Sequence, residues 1–191
     1  MKETKYVIGI IGSPRKNGNT SVTIHNILRI ASLKGAKTEK IFLNQLKIKF
    51  CQGCDYCKSH KNCKTKDDFQ KVIKKIENST GVIIGSPIYF GTLSAQTKAF
   101  IDRLYSLFDK NFKNKLKGKR KGAFVLVWAA TDKTYARKRK PTVDLLESVL
   151  KSPLNAKIIG KIAKGGIGSI GDARKDEIIM KAAQRIGNKI V

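Results

Sequence analysis

Five times along the chain, a short apolar run is followed by a stretch with apolar residues at helical spacing. This alternation constrains the fold more than any other feature. The runs are Tyr6–Ile11 (YVIGII), Lys37–Leu43 (KTEKIFL), Gly81–Gly85 (GVIIG), Ala123–Trp128 (AFVLVW) and Ala156–Ile162. Short, mostly rich in β-branched residues, they read as strands. The spacing predicts helices over Asn19–Leu33, stopped by Gly35, and from Asp67 to about Asn78. The latter is opened by Thr65-x-x-Asp68, a capping-box pattern with Asp in place of the usual Glu. Further helices are predicted from Ser94 to about Asp109, over Pro141–Leu150 with its proline early, and over Asp172–Val191.

Repeated βα units give an α/β domain with a parallel sheet, and right-handed crossovers put helices on both faces. The expectation is one domain over residues 1–191, a flavodoxin-like doubly wound sheet of five strands in the order 2-1-3-4-5. Such sheets bind ligands beyond the carboxyl ends of their strands, at the switch point beside strand 1. The loops after strands 1, 3 and 4 are therefore the places to look for chemistry.

Gly12–Ser21 reads GSPRKNGNTS and joins the first strand to the first helix. Its glycines let backbone amides approach an anion, and the helix start adds partial positive charge. Ser13, Arg15, Asn17, Gly18, Asn19 and Thr20 are the candidate phosphate-binding residues, in a loop without the P-loop lysine. An ordinary βα turn favours the same residue types. After strand 3, Ser86–Ala95 reads SPIYFGTLSA. Backbone groups of Ser86, Pro87, Ile88 and Gly91 can meet the polar edge of a flat heterocycle while Tyr89 or Phe90 covers a face. Packing of these aromatics in the core is the alternative.

All four cysteines fall in CQGCDYCKSHKNC, residues 51–63, spaced C-x2-C-x2-C-x5-C. Disulfides, zinc and an iron–sulfur cluster compete for such a loop. No signal-peptide pattern opens the chain, and its longest apolar run, Ala123–Ala130, is too short for a bilayer. A soluble, cytoplasmic protein is expected, and in a reducing compartment clustered thiols point to metal or redox chemistry before structural disulfides.

The two loops together, GSPRKNGNT and SPIYFGTLSAQTKAFIDR, resemble those of the flavodoxin-like NADPH-dependent FMN reductase superfamily. The resemblance implies that the first loop holds the FMN phosphate and that Ser86–Gly91 contacts the isoalloxazine. Ala129–Thr131 lies where that family has a third flavin-contacting loop. The cysteine spacing narrows the resemblance to the iron–sulfur flavoproteins. That implies a [4Fe-4S] cluster on Cys51, Cys54, Cys57 and Cys63, within a loop of about residues 47–66 after strand 2. The spacing is compatible: two C-x2-C steps wrap one loop around a cubane, whereas structural zinc commonly uses two knuckles a dozen or more residues apart. His60 is then surplus as a ligand. The resemblance further implies electron transfer from a ferredoxin through the cluster to FMN, in a homodimer or homotetramer.

Forty Lys and Arg against fourteen Asp and Glu give a net charge of +26, concentrated in Lys113–Lys121 (KNKLKGKRK) and Arg137–Lys140 (RKRK). Such runs can steer an acidic electron carrier, or form only a solvated surface. Two other readings stand beside electron transfer: an NAD(P)H-dependent flavin or quinone reductase, and a zinc-stabilised nucleic-acid-binding protein. The latter lacks the interleaved exposed aromatics it needs. Gly166-Ile-Gly168-Ser-Ile-Gly171 fits G-x-G-x-x-G, but the residues after it read as a helix and not as a strand ending in an acidic residue. A flexible loop or subunit contact is expected there. Among the residues outside these loops there is no Ser-His-Asp pattern, and His25 is the one other histidine.

Overall fold

The computed structural model describes residues 4–191, with residues 132–138 described at the level of the backbone only. The strands are β1 (Tyr6–Ile11), β2 (Lys37–Phe42), β3 (Gly81–Tyr89), β4 (Thr92–Leu93), β5 (Arg120–Val127) and β6 (Ala156–Lys164). The helices are α1 (Asn19–Leu33), α2 (Tyr56–Ser59), α3 (Asp68–Glu77), α4 (Ala95–Arg103), α5 (Asp132–Lys151), α6 (Asp172–Lys175) and α7 (Glu177–Ile190).

The parallel strands lie in the order β2-β1-β3-β5-β6, which is the expected order once β4 is set aside. β4 pairs antiparallel with the end of β3, Ile88 opposite Leu93 and Tyr89 opposite Thr92, so β3 runs four residues past the expected Gly85. Alternation along the strands sends side chains to two layers. Ile8, Ile10, Val82, Ile84, Phe124 and Leu126 pack against Phe69, Phe100, Leu146 and other residues of α3, α4 and α5. Val7, Ile11, Ile83 and Val125 pack against Ile24, Ile27, Ile179 and Ile186 of α1 and α7. Gly85 lets α1 approach the sheet: a Cβ there would lie 2.5 Å from Ile24 Cδ1.

Several local expectations shift, each for a physical reason. The capping box opening α3 is made by Asp67 with Gln70, not by Thr65 with Asp68; the Asp67 carboxylate accepts from the Phe69 amide at 3.0 Å. Pro141 lies inside α5 and not in its first turn, since the helix already begins at Asp132. The C-terminal helix is broken because the Asp176 side chain caps α7, accepting from Ile179 N at 2.9 Å. The predicted helix to Asp109 ends at Arg103 and continues as a 3-10 turn over Leu104–Leu107. The basic stretch 113–121 is only partly a solvated loop. Leu116 and Arg120 are buried, and the Arg120 guanidinium donates to the carbonyls of Leu154 and Lys117. Among the described residues no helix is long and apolar enough to cross a membrane.

Candidate functional site

The loop after β1 is tied down at both ends. Gly12 N donates to Gly85 O at 2.7 Å, and Gly18 N to Arg15 O at 3.1 Å. Ser13 Oγ accepts from Arg15 N at 3.2 Å. Gly18 then serves as N-cap of α1 with no side-chain cap, so the first amides of the helix are left without an intrahelical acceptor. Those amides and the helix dipole give the start of α1 a partial positive charge suited to an anion. A cleft of about 230 Å³ opens there, lined by Ser13, Arg15, Gly18, Asn19 and Thr20 on one side and Pro87, Ile88 and Tyr89 on another.

The cleft runs into a wider, largely apolar slot of about 610 Å³, lined by Ile88 to Gly91, Ala95, Trp128 to Ala130 and Arg139. Ile88, Tyr89, Trp128 and Ala129 line both, which makes them one continuous site. Trp128 is the sole tryptophan. It is 6% exposed, its indole N–H is buried with no hydrogen-bond partner among the described residues, and the Arg139 guanidinium lies 4.3 Å from its ring centroid. Phe90 and Gly91 form the two-residue turn between β3 and β4 with φ of 48° and 82°. This is the left-handed pairing a tight hairpin requires. Thr142 of α5 holds the turn by donating to Gly91 O at 2.8 Å.

Ser86 lies behind this surface and not on it. It is fully buried, and with Ser94 and Thr97 it makes a hydroxyl cluster in which Ser94 Oγ donates to Gly12 O at 2.7 Å. The cluster fixes the loop after β3 to the loop after β1. Asn19 likewise uses its carboxamide inwardly. Its Nδ2 donates to Ser169 O at 2.7 Å, and its Oδ1 accepts from Ala173 N at 3.2 Å. Ile167, Gly168 and Ile170 thereby become a further wall of the cleft. Asn17 is exposed and outside the cleft lining.

The cysteine stretch follows β2 and a 3-10 turn over Leu43–Gln45. All four thiols are free; Cys51 and Cys54 are exposed, Cys63 is half-buried and Cys57, on α2, is buried. Among the described residues no three His, Cys, Asp or Glu side chains converge as a bound metal requires. The loop is anchored at several points. Lys115 Nζ donates to Cys57 O at 2.8 Å and His60 O at 3.1 Å. Lys58 Nζ lies 3.6 Å from the centroid of Tyr105 and 4.4 Å from that of Phe112, a cation–π seat. Tyr105 OH donates to Asp55 Oδ1 at 3.2 Å, and Tyr56 stacks on His60.

The family model described as NADPH-dependent FMN reductase matches residues 6–132. An iron–sulfur flavoprotein of Archaeoglobus fulgidus is 34% identical over 188 residues, covering 96% of this chain and 77% of that protein. The chain belongs to the NADPH-dependent FMN reductase family, among the iron–sulfur flavoproteins. An iron–sulfur flavoprotein of Methanocaldococcus jannaschii is 42% identical over 97 residues, 51% of this chain and 50% of that protein. The match thus spans about half the length of this last relative. In fold, an NAD(P)H:quinone oxidoreductase from Methanothermobacter marburgensis superposes with a TM-score of 0.76 at 14% identity, covering 97% of this chain and 95% of that one.

Three parts of the candidate site are not legible in the sequence. The wall at 167–170 shows in the sequence only as a glycine pattern, and in the structure Ile167 N donates to Trp128 O at 2.9 Å. In the sequence Trp128 reads as the end of a strand. Lys115 reads as one charge in a run, and nothing in the run marks the lysine that turns inward.

Proposed function

We propose that this chain is an electron-transfer flavoprotein that holds FMN in the cleft and slot and a [4Fe-4S] cluster on Cys51, Cys54, Cys57 and Cys63. The observation that carries the reading is that a helix start with no side-chain cap adjoins a largely apolar slot of about 610 Å³, the two sharing Ile88, Tyr89, Trp128 and Ala129. The amides at the start of α1, with Ser13 and Arg15, would hold the phosphate. Pro87 to Gly91, Trp128 and Ala129 would enclose the ring. The chemistry of the donor set supports the cluster: four free thiols on one tethered loop, with no other cysteine in the chain.

Bound flavin exchanges one or two electrons and a cluster one, so together they join a one-electron carrier to a two-electron reaction. The residues supply binding, orientation and exclusion of water, and no general acid, base or nucleophile is called on. An acidic ferredoxin-type protein is the proposed donor, in a cytoplasmic homodimer or homotetramer. NADPH is the alternative donor, supported by the description of the family.

The test is anaerobic purification with release of the flavin by acid. FMN bands with broad cluster absorbance are expected. FAD or no flavin sinks the cleft assignment, and stoichiometric zinc sinks the cluster. Anaerobic reduction by ferredoxin compared with NADPH separates the two donors.

A further inference from the structure

The cysteine loop leaves the fold near Lys49 and returns near Thr65, and one buried arginine bonds to both places. Arg103, the last residue of α4, has a side chain 1% exposed. Its Nη1 donates to Lys49 O at 2.8 Å, and its Nη2 to Thr65 O at 3.2 Å. The same fork meets Asp67 at 2.8 Å and 3.3 Å. Asp67 closes the ring by accepting from Lys49 N at 2.9 Å. Beside this ring, Asp68 accepts from Lys47 N at 2.9 Å and Asp68 N donates to Lys47 O at 3.2 Å. All four cysteines lie between the bonded ends.

We propose that Arg103, held by Asp67, is a positioning residue for the four thiols. It closes the neck of the loop before anything binds there. A buried ion pair is a poor device for stability, because an apolar pair of the same volume does as well or better. What an apolar residue cannot do is donate to two carbonyls on opposite sides of a neck. A lysine cannot do it well either, since its ammonium is a compact point charge while the guanidinium is a rigid planar fork. Closing the neck removes much of the conformational freedom of the segment between, so the thiols sample fewer arrangements. The clamp itself is seen in the geometry alone; its use in cluster retention rests on the iron–sulfur reading above.

The test has two arms. Hydrogen exchange is measured on the protein as purified and again after chelation and reduction. Slow exchange in peptides covering 47–49 and 67–69, kept after metal removal while 52–62 exchanges fast, is expected. Loss of neck protection on metal removal overturns the proposal, because the neck would then be made by the cluster.

In the second arm, Arg103→Met and Arg103→Lys are compared with wild type for alkylation of Cys57 and Cys63 by iodoacetamide in the metal-free state. Retention of fold is checked by circular dichroism. Alkylation at least about tenfold faster is expected in Arg103→Met, the scale of one lost charge-assisted hydrogen bond. Arg103→Lys should fall between. Unchanged alkylation in a folded Arg103→Met chain overturns the proposal, and if that variant does not fold the exchange arm decides alone. A wild type without iron but with a protected neck sinks the cluster reading and leaves the clamp standing.

Discussion

Arg103 Nη1 lies 2.8 Å from Asp67 Oδ2, and the two side chains are 1% and 4% exposed. Burial pushes the Asp67 carboxyl up, but hydrogen bonds from Arg103 and from the amides of Lys49 and Phe69 outweigh it and hold the carboxyl below the usual range. A depressed carboxyl contributes stability that is complete above its unfolded value, about 3.9, and is lost as pH falls through the folded one. The melting temperature should therefore hold from pH 7 to about 5 and fall below about 4. Asp67→Asn keeps a competent N-cap but leaves Arg103 uncompensated, at a cost of about 3–5 kcal/mol. It should lower the plateau and flatten part of the acid fall. A melting series against pH for both proteins checks this.

The sole tryptophan lies where the cleft meets the slot, so its fluorescence reports occupancy directly. FMN added to apoprotein should quench it and saturate at about one flavin per chain, the stoichiometry of one cleft. Asn19→Ala leaves Ser169 O and Ala173 N without that partner and frees the wall at 167–170. The expected loss is about 1–3 kcal/mol, so about fivefold to 150-fold weaker binding. An unchanged titration curve would mean that this wall does not touch the ligand.

The tip of the β3–β4 turn holds a bulky residue where the backbone favours glycine. Phe90 has φ of 48° and its side chain is fully exposed, so no packing offsets the strain. Phe90→Gly should raise stability by about 1 kcal/mol, the scale of the left-handed penalty. Phe90 also lines the slot, so the same change should weaken FMN binding. Denaturant melts of apoprotein and the Trp128 titration measure the two effects separately.

What the sequence made legible was local. The β-branched runs reported the buried sheet, and the glycine-rich loop after β1 and the cysteine spacing are contiguous patterns. Contacts between distant segments were not legible. In KAFIDRLY, Asp102 and Arg103 look alike as surface charges. Yet Asp102 pairs with Lys98 in solvent, while Arg103 turns inward to carbonyls far away in sequence. Asp67 and Asp68 are adjacent carboxylates, and nothing local marks Asp67 as the one that meets the buried Arg103. The final wall of the cleft depends on Asn19 meeting residues 167–173, a pairing no local pattern encodes.

The cysteines should separate from the flavin by mutation. Cys57→Ala should lose cluster iron, about four per chain for a cubane. FMN quenching of Trp128 should persist, because the flavin loops follow β1, β3 and β5 while the cysteine loop follows β2. Iron assay and fluorescence titration on one preparation check both. A variant that keeps about four irons per chain shows that Cys57 is not a ligand.

The basic run 113–121 divides into two kinds of charge. Lys113, Lys117 and Lys119 are exposed, whereas Lys115 bonds the cysteine loop and Arg120 is buried against main-chain carbonyls. In the second run, Arg137 and Lys138 have side chains outside the described residues, and Lys140 is exposed beside Asp144. On the proposed reading, steering of an acidic donor would fall to the exposed lysines. Joint replacement of Lys113, Lys117 and Lys119 by Glu should leave the fold intact and slow reduction by ferredoxin at low salt. The gap from wild type should close as salt rises, since screening acts over roughly 8 Å at physiological ionic strength. Reduction by a small neutral reductant should not change. Lys115→Glu should behave differently: it removes two bonds to the cysteine loop, so its defect should persist at high salt. A triple variant whose rate matches wild type at every salt concentration would show that the exposed lysines are only a solvated surface, and salt-sensitive duplex binding by wild type, lost in that variant, would point to nucleic acid instead.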